Sequence, residues 1–224
     1  MKVVAVVPAF NEVGTIADVV RGAAPHVETV LVVDDGSTDG TADAARAAGA
    51  DVLSLTPNQG KGAAVRAGLT RLADTDVTHA LLIDGDMQHR PDEIPRLLDA
   101  ARQTGAALVV GERVFNRAAM PASRYWANIL GSRLLASLLG VPLSDTQSGF
   151  RLIALDVVRS LFLQGKGYEI ETEMIVKMRR RRVPVVGVPV SAVYNGSRSK
   201  LRPVRDTTRN VLLAVYYRFA PWPR

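Results

Sequence analysis

The sequence predicts an α/β protein: a mostly parallel sheet flanked by helices on both faces, folded as a single domain. Three observations predict it. Short apolar runs alternate with helical stretches from the N-terminus onward, the rhythm of strands joined by crossover helices. The 224 residues, 47% hydrophobic and 22% charged, suffice for one sizeable core. No internal repeat, low-complexity linker or clean boundary divides the chain.

In order, strands are expected over Val3–Val7, Thr29–Asp34, Val52–Leu55, Ala80–Ile83 and Ala107–Val110. Helices are expected between them near Gly14–Ala24, Thr38–Ala48, Lys61–Ala73 and Pro91–Gln103. Ser37 or Thr38 suits the cap of the second helix, and Pro91 the first turn of the fourth. After Gly111 the rhythm changes. Pro121–Leu139 reads as a long, mostly apolar helix interrupted by Arg124 and Arg133, Phe150–Leu155 as a strand and Glu171–Arg181 as a helix. Val183–Val188 and Val190–Tyr194 read as strands broken by Gly187 and Pro189, and Val204–Phe219 as a final helix.

Several classes are excluded or demoted. The chain has no cysteine, which removes disulfides and thiolate metal sites and is compatible with a reducing, cytoplasmic setting. The apolar run Met1–Val7 stops at Pro8, and Asn11-Glu12 follow without a small-residue cleavage site, so a first buried strand is expected rather than a signal peptide. No run approaches the roughly eighteen apolar residues needed to span a bilayer, so an integral protein is not expected. A net charge of +6 favours an anionic partner: nucleotide-sugar, anionic lipid or nucleic acid. Aromatics at 5%, with no motif of a nucleic-acid module, rank nucleic acid last.

Leu81-Leu82-Ile83-Asp84-Gly85-Asp86-Met87-Gln88-His89 ends an apolar run in two aspartates and a glutamine. Period-two geometry places Asp84 and Asp86 on one side of a strand's C-terminal end. Gly85, lacking a Cβ, would let a ligand approach the backbone. Two carboxylates and an amide oxygen are hard ligands, suited to Mg²⁺ or Mn²⁺ carrying a diphosphate; the plain alternative is a solvated acidic turn.

Pro8-Ala9-Phe10-Asn11-Glu12 follows the first strand, where open α/β sheets place ligand loops. Phe10 could stack on a base, and Glu12 could accept ribose or base hydrogen bonds. Asp34-Asp35-Gly36-Ser37-Thr38-Asp39-Gly40-Thr41 resembles a calcium loop begun at Asp35, but Arg46 stands where a bidentate Glu is required. A carboxylate there could instead accept the ring N–H of uracil or guanine, or serve as a helix cap. Asn58-Gln59-Gly60-Lys61-Gly62 is neither a phosphate-cradling Gly-Lys-Ser/Thr loop nor a dinucleotide fingerprint, though it can start a helix with Lys61 facing a phosphate.

Taken together and in order, these segments resemble family 2 glycosyltransferases, nucleotide-sugar enzymes with the Rossmann-like GT-A fold. The resemblance spans essentially the whole chain and is nearest the dolichyl- and polyprenyl-phosphate hexose transferases. It is carried by Pro8–Glu12, Asp34–Asp39, Asn58–Gly62, Asp84–His89 and Asp145-Thr146-Gln147-Ser148-Gly149-Phe150-Arg151. It implies a nucleotide-sugar half over 1–111 and an acceptor half over 112–224. Pro8, Phe10, Glu12 and Asp35 would hold the nucleoside, with Lys61 and Asp84 also on the donor; Asp84, Asp86 and Gln88 would surround the metal and diphosphate. His89 is expected beside the metal site rather than as a ligand, and His26 and His79 as ordinary surface or strand-edge residues.

On the acceptor side, Gly111-Glu112-Arg113, Met120–Arg124 and Ser197–Leu201 match phosphate-facing segments of that subfamily. Arg113, Arg124, Ser199 and Lys200 are thus expected at an acceptor phosphate. Arg179–Arg182 reads as a basic face for anionic headgroups. Many relatives continue into transmembrane helices; here Tyr216, Tyr217 and Trp222, with Arg209, Arg218 and Arg224, fit either an interfacial helix on the cytoplasmic membrane face or a packed terminal helix.

The resemblance implies inverting transfer of a hexose from a GDP- or UDP-sugar to a polyprenyl phosphate, with Mg²⁺ or Mn²⁺ and the basic residues stabilising the departing diphosphate. Asp86, Asp145 and Arg124 are the expected catalytic residues. A sugar or alcohol acceptor would need a base, and Asp145 is the first candidate for that role or for orienting the acceptor, ahead of Glu169, Glu171 and Glu173. Base, hexose and oligomeric state are open at this point. The competing classes are a soluble-acceptor transferase, a nucleotidyltransferase attacking phosphorus, and a non-catalytic sugar-nucleotide binder.

Overall fold

The computed structural model describes residues 1–114 and 122–193 together with Leu212, Leu213, Val215 and Tyr216; over 122–128 it describes the backbone alone. Seven strands form one sheet: β1 (Val3–Ala9), β2 (Thr29–Asp34), β3 (Asp51–Ser54), β4 (His79–Leu82), β5 (Leu108–Val114), β6 (Arg151–Ala154) and β7 (Val185–Ser191). Their order is β3-β2-β1-β4-β6-β5-β7. All neighbours run parallel except β6, which is antiparallel to both β4 and β5. The GT-A-like α/β expectation holds.

Each strand alternates between two cores, as a period of two demands. Val3, Ala5, Val7 and Ala9 of β1 face one side, where α1 (Ile16–Ala23), α2 (Thr41–Ala47) and α4 (Ile94–Thr104) pack. Val4 and Val6 face the other, with α3 (Lys61–Arg71), α5 (Ala122–Leu139), α6 (Leu155–Val158) and α7 (Glu169–Arg180). Ile16, Val19, Val20 and Ala23 of α1 are all buried, as are Ile94, Leu97, Leu98 and Ala101 of α4. Both sets follow the i, i+3, i+4, i+7 stripe of a helix lying on a sheet.

Three local expectations are corrected. The segment from Val183 onward forms one strand, β7, which passes through Gly187 and Pro189. Pro189 is tolerated because, among the described residues, β7 pairs only with β5 and lies at the sheet's edge, where a missing N–H breaks no second ladder. A Cβ at Gly187 would run into the Glu112 carboxylate, so a larger residue there would require that side chain to move. Second, neither Ser37 nor Thr38 caps α2. Gly40 occupies the cap in left-handed conformation, and the Asp39 carboxylate accepts from the Thr41 amide at 3.0 Å. Third, Pro91 opens a 3-10 turn, Pro91–Glu93, that leads into α4. Most of the expected final helix lies outside the described residues; Leu212, Leu213, Val215 and Tyr216 are helical.

Strand order positions the site. β1 has β2 on one side and β4 on the other, so successive connections leave in opposite directions and open a crevice at the strands' C-terminal ends. Because β6 runs backward, its N-terminus, preceded by Gly149 and Phe150, reaches the same edge.

Candidate active site

A cavity of about 600 Å³ lies at that edge. The segment after β1 lines it with Pro8, Phe10 and Glu12, and the segment after β4 with Asp84, Asp86, Gln88 and His89. Asp35, Asn58 and Lys61 close one side; Arg113, Gln147, Gly149 and Tyr168 close the other. The structure thus brings together residues from five sequence segments expected to meet. Arg124 falls in α5 with its side chain outside the described residues, and Ser199 and Lys200 lie outside them altogether.

Asp35 is held more tightly than a base-reading residue needs. Its two oxygens accept the Gln59 and Gly60 amides, each at 2.8 Å, and its carbonyl accepts the Asn58 side-chain amide at 2.9 Å. The carboxylate therefore shapes the 58–60 loop; each oxygen keeps a second lone pair, and the residue lines the cavity.

Lys61 does not point its charge at open solvent or at an empty phosphate cradle. Its Nζ lies 2.7 and 2.9 Å from the two Asp84 oxygens and 2.8 Å from Glu171 Oε1, with the Tyr168 ring centroid at 5.5 Å. Burial opposes this ammonium, but Asp84 and Glu171 outweigh burial and raise its pKa. The first amides of α3 are likewise taken: Gly62 and Ala63 donate to the Lys166 carbonyl at 2.9 and 3.3 Å. Those amides of the helix start are capped internally, while the Lys61 side chain lines the cavity. Gly60 and Gly62 permit the cap, since a Cβ on either would meet backbone oxygens of the 165–167 turn at 2.5 to 2.7 Å.

The two aspartates of the β4 loop differ. Burial alone would raise the Asp84 pKa, but Lys61 foremost, then His89 and Arg113, hold it down. Asp86 is pushed up to about 6, by burial first and by the Asp84 charge second; its Oδ1 accepts the Gln88 amide at 3.0 Å. A carboxylate disfavoured as an anion by its surroundings is one that a nearby dication would relieve. Asp86 and Gln88 both line the cavity, and a carboxylate and an amide oxygen are the hard donors a divalent ion takes. Among the described residues no three His, Cys, Asp or Glu side chains converge as a cage. Asp84, expected as a further ligand, lines the same cavity and is paired here with Lys61. Gly85 lines the cavity, and a Cβ there would also meet Ile16, Ala9 and Glu12 of this chain at 3.3 to 3.6 Å.

His89 is 2% exposed, its ring 5.2 Å from that of Phe150, and burial pushes its pKa down to about 4. It is a neutral wall residue. Asp145, 1% exposed, accepts Arg113 Nε at 2.6 Å, Nη2 at 3.1 Å and the Arg113 amide at 3.3 Å. Burial works against this carboxylate, but Arg113 holds it below the usual range. Such a group is a weak base; it fixes the guanidinium.

Sequence reasoning missed two residues. Arg151, fully buried, donates to the carbonyls of Ser148, Thr146 and Glu171 at 2.7, 2.9 and 2.7 Å, stapling the 145–149 loop to the start of α7. Burial lowers its pKa to about 10. The segment Asp145–Arg151 was singled out, yet nothing in its spacing shows which carbonyls the arginine meets. Tyr168 is the other, invisible because it reaches the site through tertiary packing. Glu169 and Glu173 accept amides of the 164–167 turn, and only Glu171 of the three reaches toward the cavity.

The family model for glycosyl transferase family 2 matches residues 4–162. The chain is 33% identical over 207 residues to an undecaprenyl-phosphate mannosyltransferase of Micrococcus luteus, covering 86% of this chain and 84% of that one. It is 25% identical over 236 residues to a UDP-N-acetylglucosamine–dolichyl-phosphate N-acetylglucosaminyltransferase of Methanococcus voltae, covering 95% and 92%. In three dimensions it is similar to glucosyl-3-phosphoglycerate synthase of Mycobacterium tuberculosis, crystallised with Mn²⁺, UDP and phosphoglyceric acid. The TM-score is 0.75 at 26% identity, over 99% of this chain and 80% of that one.

Proposed function

The chain belongs to glycosyl transferase family 2, and from that premise we propose that it is an inverting hexosyltransferase passing sugar from a nucleoside diphosphate to a polyprenyl phosphate. The donor would lie along the β1 and β4 loops, its base against Phe10 and Asp35 and its ribose toward Glu12. Asp86 and Gln88 would hold a divalent cation. When bound, that ion supplies positive charge against the diphosphate's departing negative charge. Arg113, aimed by Asp145, supplies a second positive charge that needs no reorganisation.

The observation that carries the acceptor assignment is the Asp145–Arg113 pair. The carboxylate first expected as a base is held ionised in a bidentate pair, so it orients a cation instead of taking a proton. A phosphate monoester, with a second pKa of about 6, is nucleophilic at neutral pH without a base, whereas a neutral hydroxyl is not. The relatives named as lipid-phosphate transferases support the same acceptor.

Purified enzyme with radiolabelled GDP- and UDP-hexoses should label a short polyprenyl phosphate, leave the matching polyprenol unlabelled, and release nucleoside diphosphate. Labelling of phosphoglycerate with polyprenyl phosphate inert would move the assignment to a soluble phosphorylated acceptor, as the named substrate of the structural neighbour suggests. Pyrophosphate release would indicate attack at phosphorus.

A further inference from the structure

We propose that Glu171 is a positioning residue for Lys61, and that the Lys61 ammonium is a transferable counter-charge, neutralising Asp84 until a divalent cation replaces it and then turning to the donor diphosphate. The second half of this rests on the donor chemistry proposed above; the first rests on geometry.

An ammonium has three protons to donate. Here they meet two carboxylates: both oxygens of Asp84 on the cavity wall, and Oε1 of Glu171 behind it. Lys61, Asp84 and Tyr168 line the cavity, whereas Glu171 does not, so Glu171 reaches the chemistry only through Lys61. Its own place is fixed. Arg151 Nη1 holds its carbonyl at 2.7 Å, and it sits in the first turn of α7, where the helix dipole favours an anion. Its Oε2 is buried with no hydrogen-bond partner among the described residues, so there is room in its bonding for a cation that shifts.

Lys61 is the mobile member, a point charge on a flexible four-carbon stem at the first residue of α3. A dication drawn to Asp86 and Asp84 would repel the ammonium from Asp84. Glu171 then keeps that ammonium within the site rather than releasing it to water. Without the Glu171 charge, Asp84 becomes the sole carboxylate partner, and Lys61 competes harder against the incoming cation.

The test is a double-mutant cycle with Glu171→Gln, Lys61→Met and the pair in the full chain, read by calorimetric Mn²⁺ binding without donor. Circular dichroism melts establish that each variant folds. Glu171→Gln should weaken Mn²⁺ binding about tenfold where Lys61 is present and less than twofold in the Lys61→Met background. Equal weakening in both backgrounds would show Glu171 acting on the ion directly, and no weakening in either would show a structural glutamate; both overturn the proposal, as does an absence of Mn²⁺ binding by the unaltered chain. If Glu171→Gln does not fold, Glu171→Asp takes its place. That variant keeps the charge and should hold Mn²⁺ affinity within about threefold, a larger loss counting against the idea. The cycle needs no acceptor and no turnover, so it stands apart from the transferase assignment. A chain that binds Mn²⁺ with the expected coupling yet transfers no hexose would retain the Glu171–Lys61 device and lose the function.

Discussion

Asp86 carries opposite consequences for stability and activity. Its pKa is raised to about 6 in the folded chain, so the native state holds a proton more firmly than the unfolded state does. Stability from this group is therefore fully present below its ordinary value near 3.8 and is lost as pH rises through about 6. Asp86→Asn should remove that slope and, without added metal, stabilise the protein at pH 7.5 by up to about 3 kcal/mol, taking about 1.4 kcal/mol per pK unit. The same variant should lose metal-dependent donor turnover. Melts at pH 4.5 and 7.5 with a turnover assay check both; a less stable Asn variant at pH 7.5 would mean the site does not disfavour the anion. Asp145 has the reverse sign. Its folded pKa is lowered, so its contribution is present above about 3.8 and fades on acidification through the lower folded value. Asp145→Asn should cost about 2–4 kcal/mol, somewhat under the usual range for breaking a fully buried pair because Arg113 is 21% exposed. Nucleoside diphosphate affinity should also fall in that variant, because Arg113 loses the partner that aims it into the cavity; calorimetry checks this.

At the scale of elements, the sequence and the structure agree where a local pattern decides and part where a distant backbone does. β2 was legible residue for residue, and α1 and α4 followed from their apolar stripes, because period and burial are written into composition. The aspartates of the β4 loop and the arginine of β5 were legible as polar residues at strand ends. What Lys61 and Asp145 touch was not, since Glu171 and Arg113 reach them from segments far along the chain. The sequence pattern splits β7 because edge position, which excuses Pro189, is a property of sheet order. Glycines show the same division. Gly62 and Gly131 both sit in helices, where Ala would ordinarily gain about 1 kcal/mol. A Cβ at Gly131 meets nothing within 4 Å among the described residues, whereas one at Gly62 meets the Gly165 and Gly167 carbonyl oxygens at 2.6 and 2.7 Å. Gly131→Ala should stabilise by about 0.5–1 kcal/mol, and Gly62→Ala should destabilise by at least about 1–3 kcal/mol through overpacking. Urea denaturation decides the pair; like signs for the two variants would contradict the α3 docking described here.

For the whole molecule, the proposed lipid-phosphate acceptor raises the question of which surface would meet a membrane. No helix among the described residues is long and apolar enough to cross a membrane, and the net charge of +6 favours anionic surfaces. The run Arg179–Arg182, read from the sequence as a headgroup face, lies at the C-terminal end of α7, whereas Glu171 lies in its first turn. Glu171 stands at the cavity end, and ten residues at about 1.5 Å each place Arg181 about 15 Å along the axis. Two of the four arginines also tie elements together: Arg179 Nε donates to the Gly140 carbonyl at 3.0 Å, and Arg181 to Ser160 Oγ and its carbonyl at 2.7 and 2.6 Å. A lipid phosphate entering beside Arg113 would not reach that end. Arg180→Gln with Arg182→Gln should therefore change hexosyl transfer to polyprenyl phosphate by less than twofold. Arg181→Gln should instead lower stability by about 1–2 kcal/mol through its two lost hydrogen bonds. The unaltered chain should still bind anionic vesicles, more weakly as salt is raised from 50 to 500 mM by about the factor expected of screened surface charge. A severe loss of transfer in the Arg180/Arg182 variant, with donor hydrolysis intact, would return the arginine run to the membrane face and require the acceptor to approach from the far end of α7.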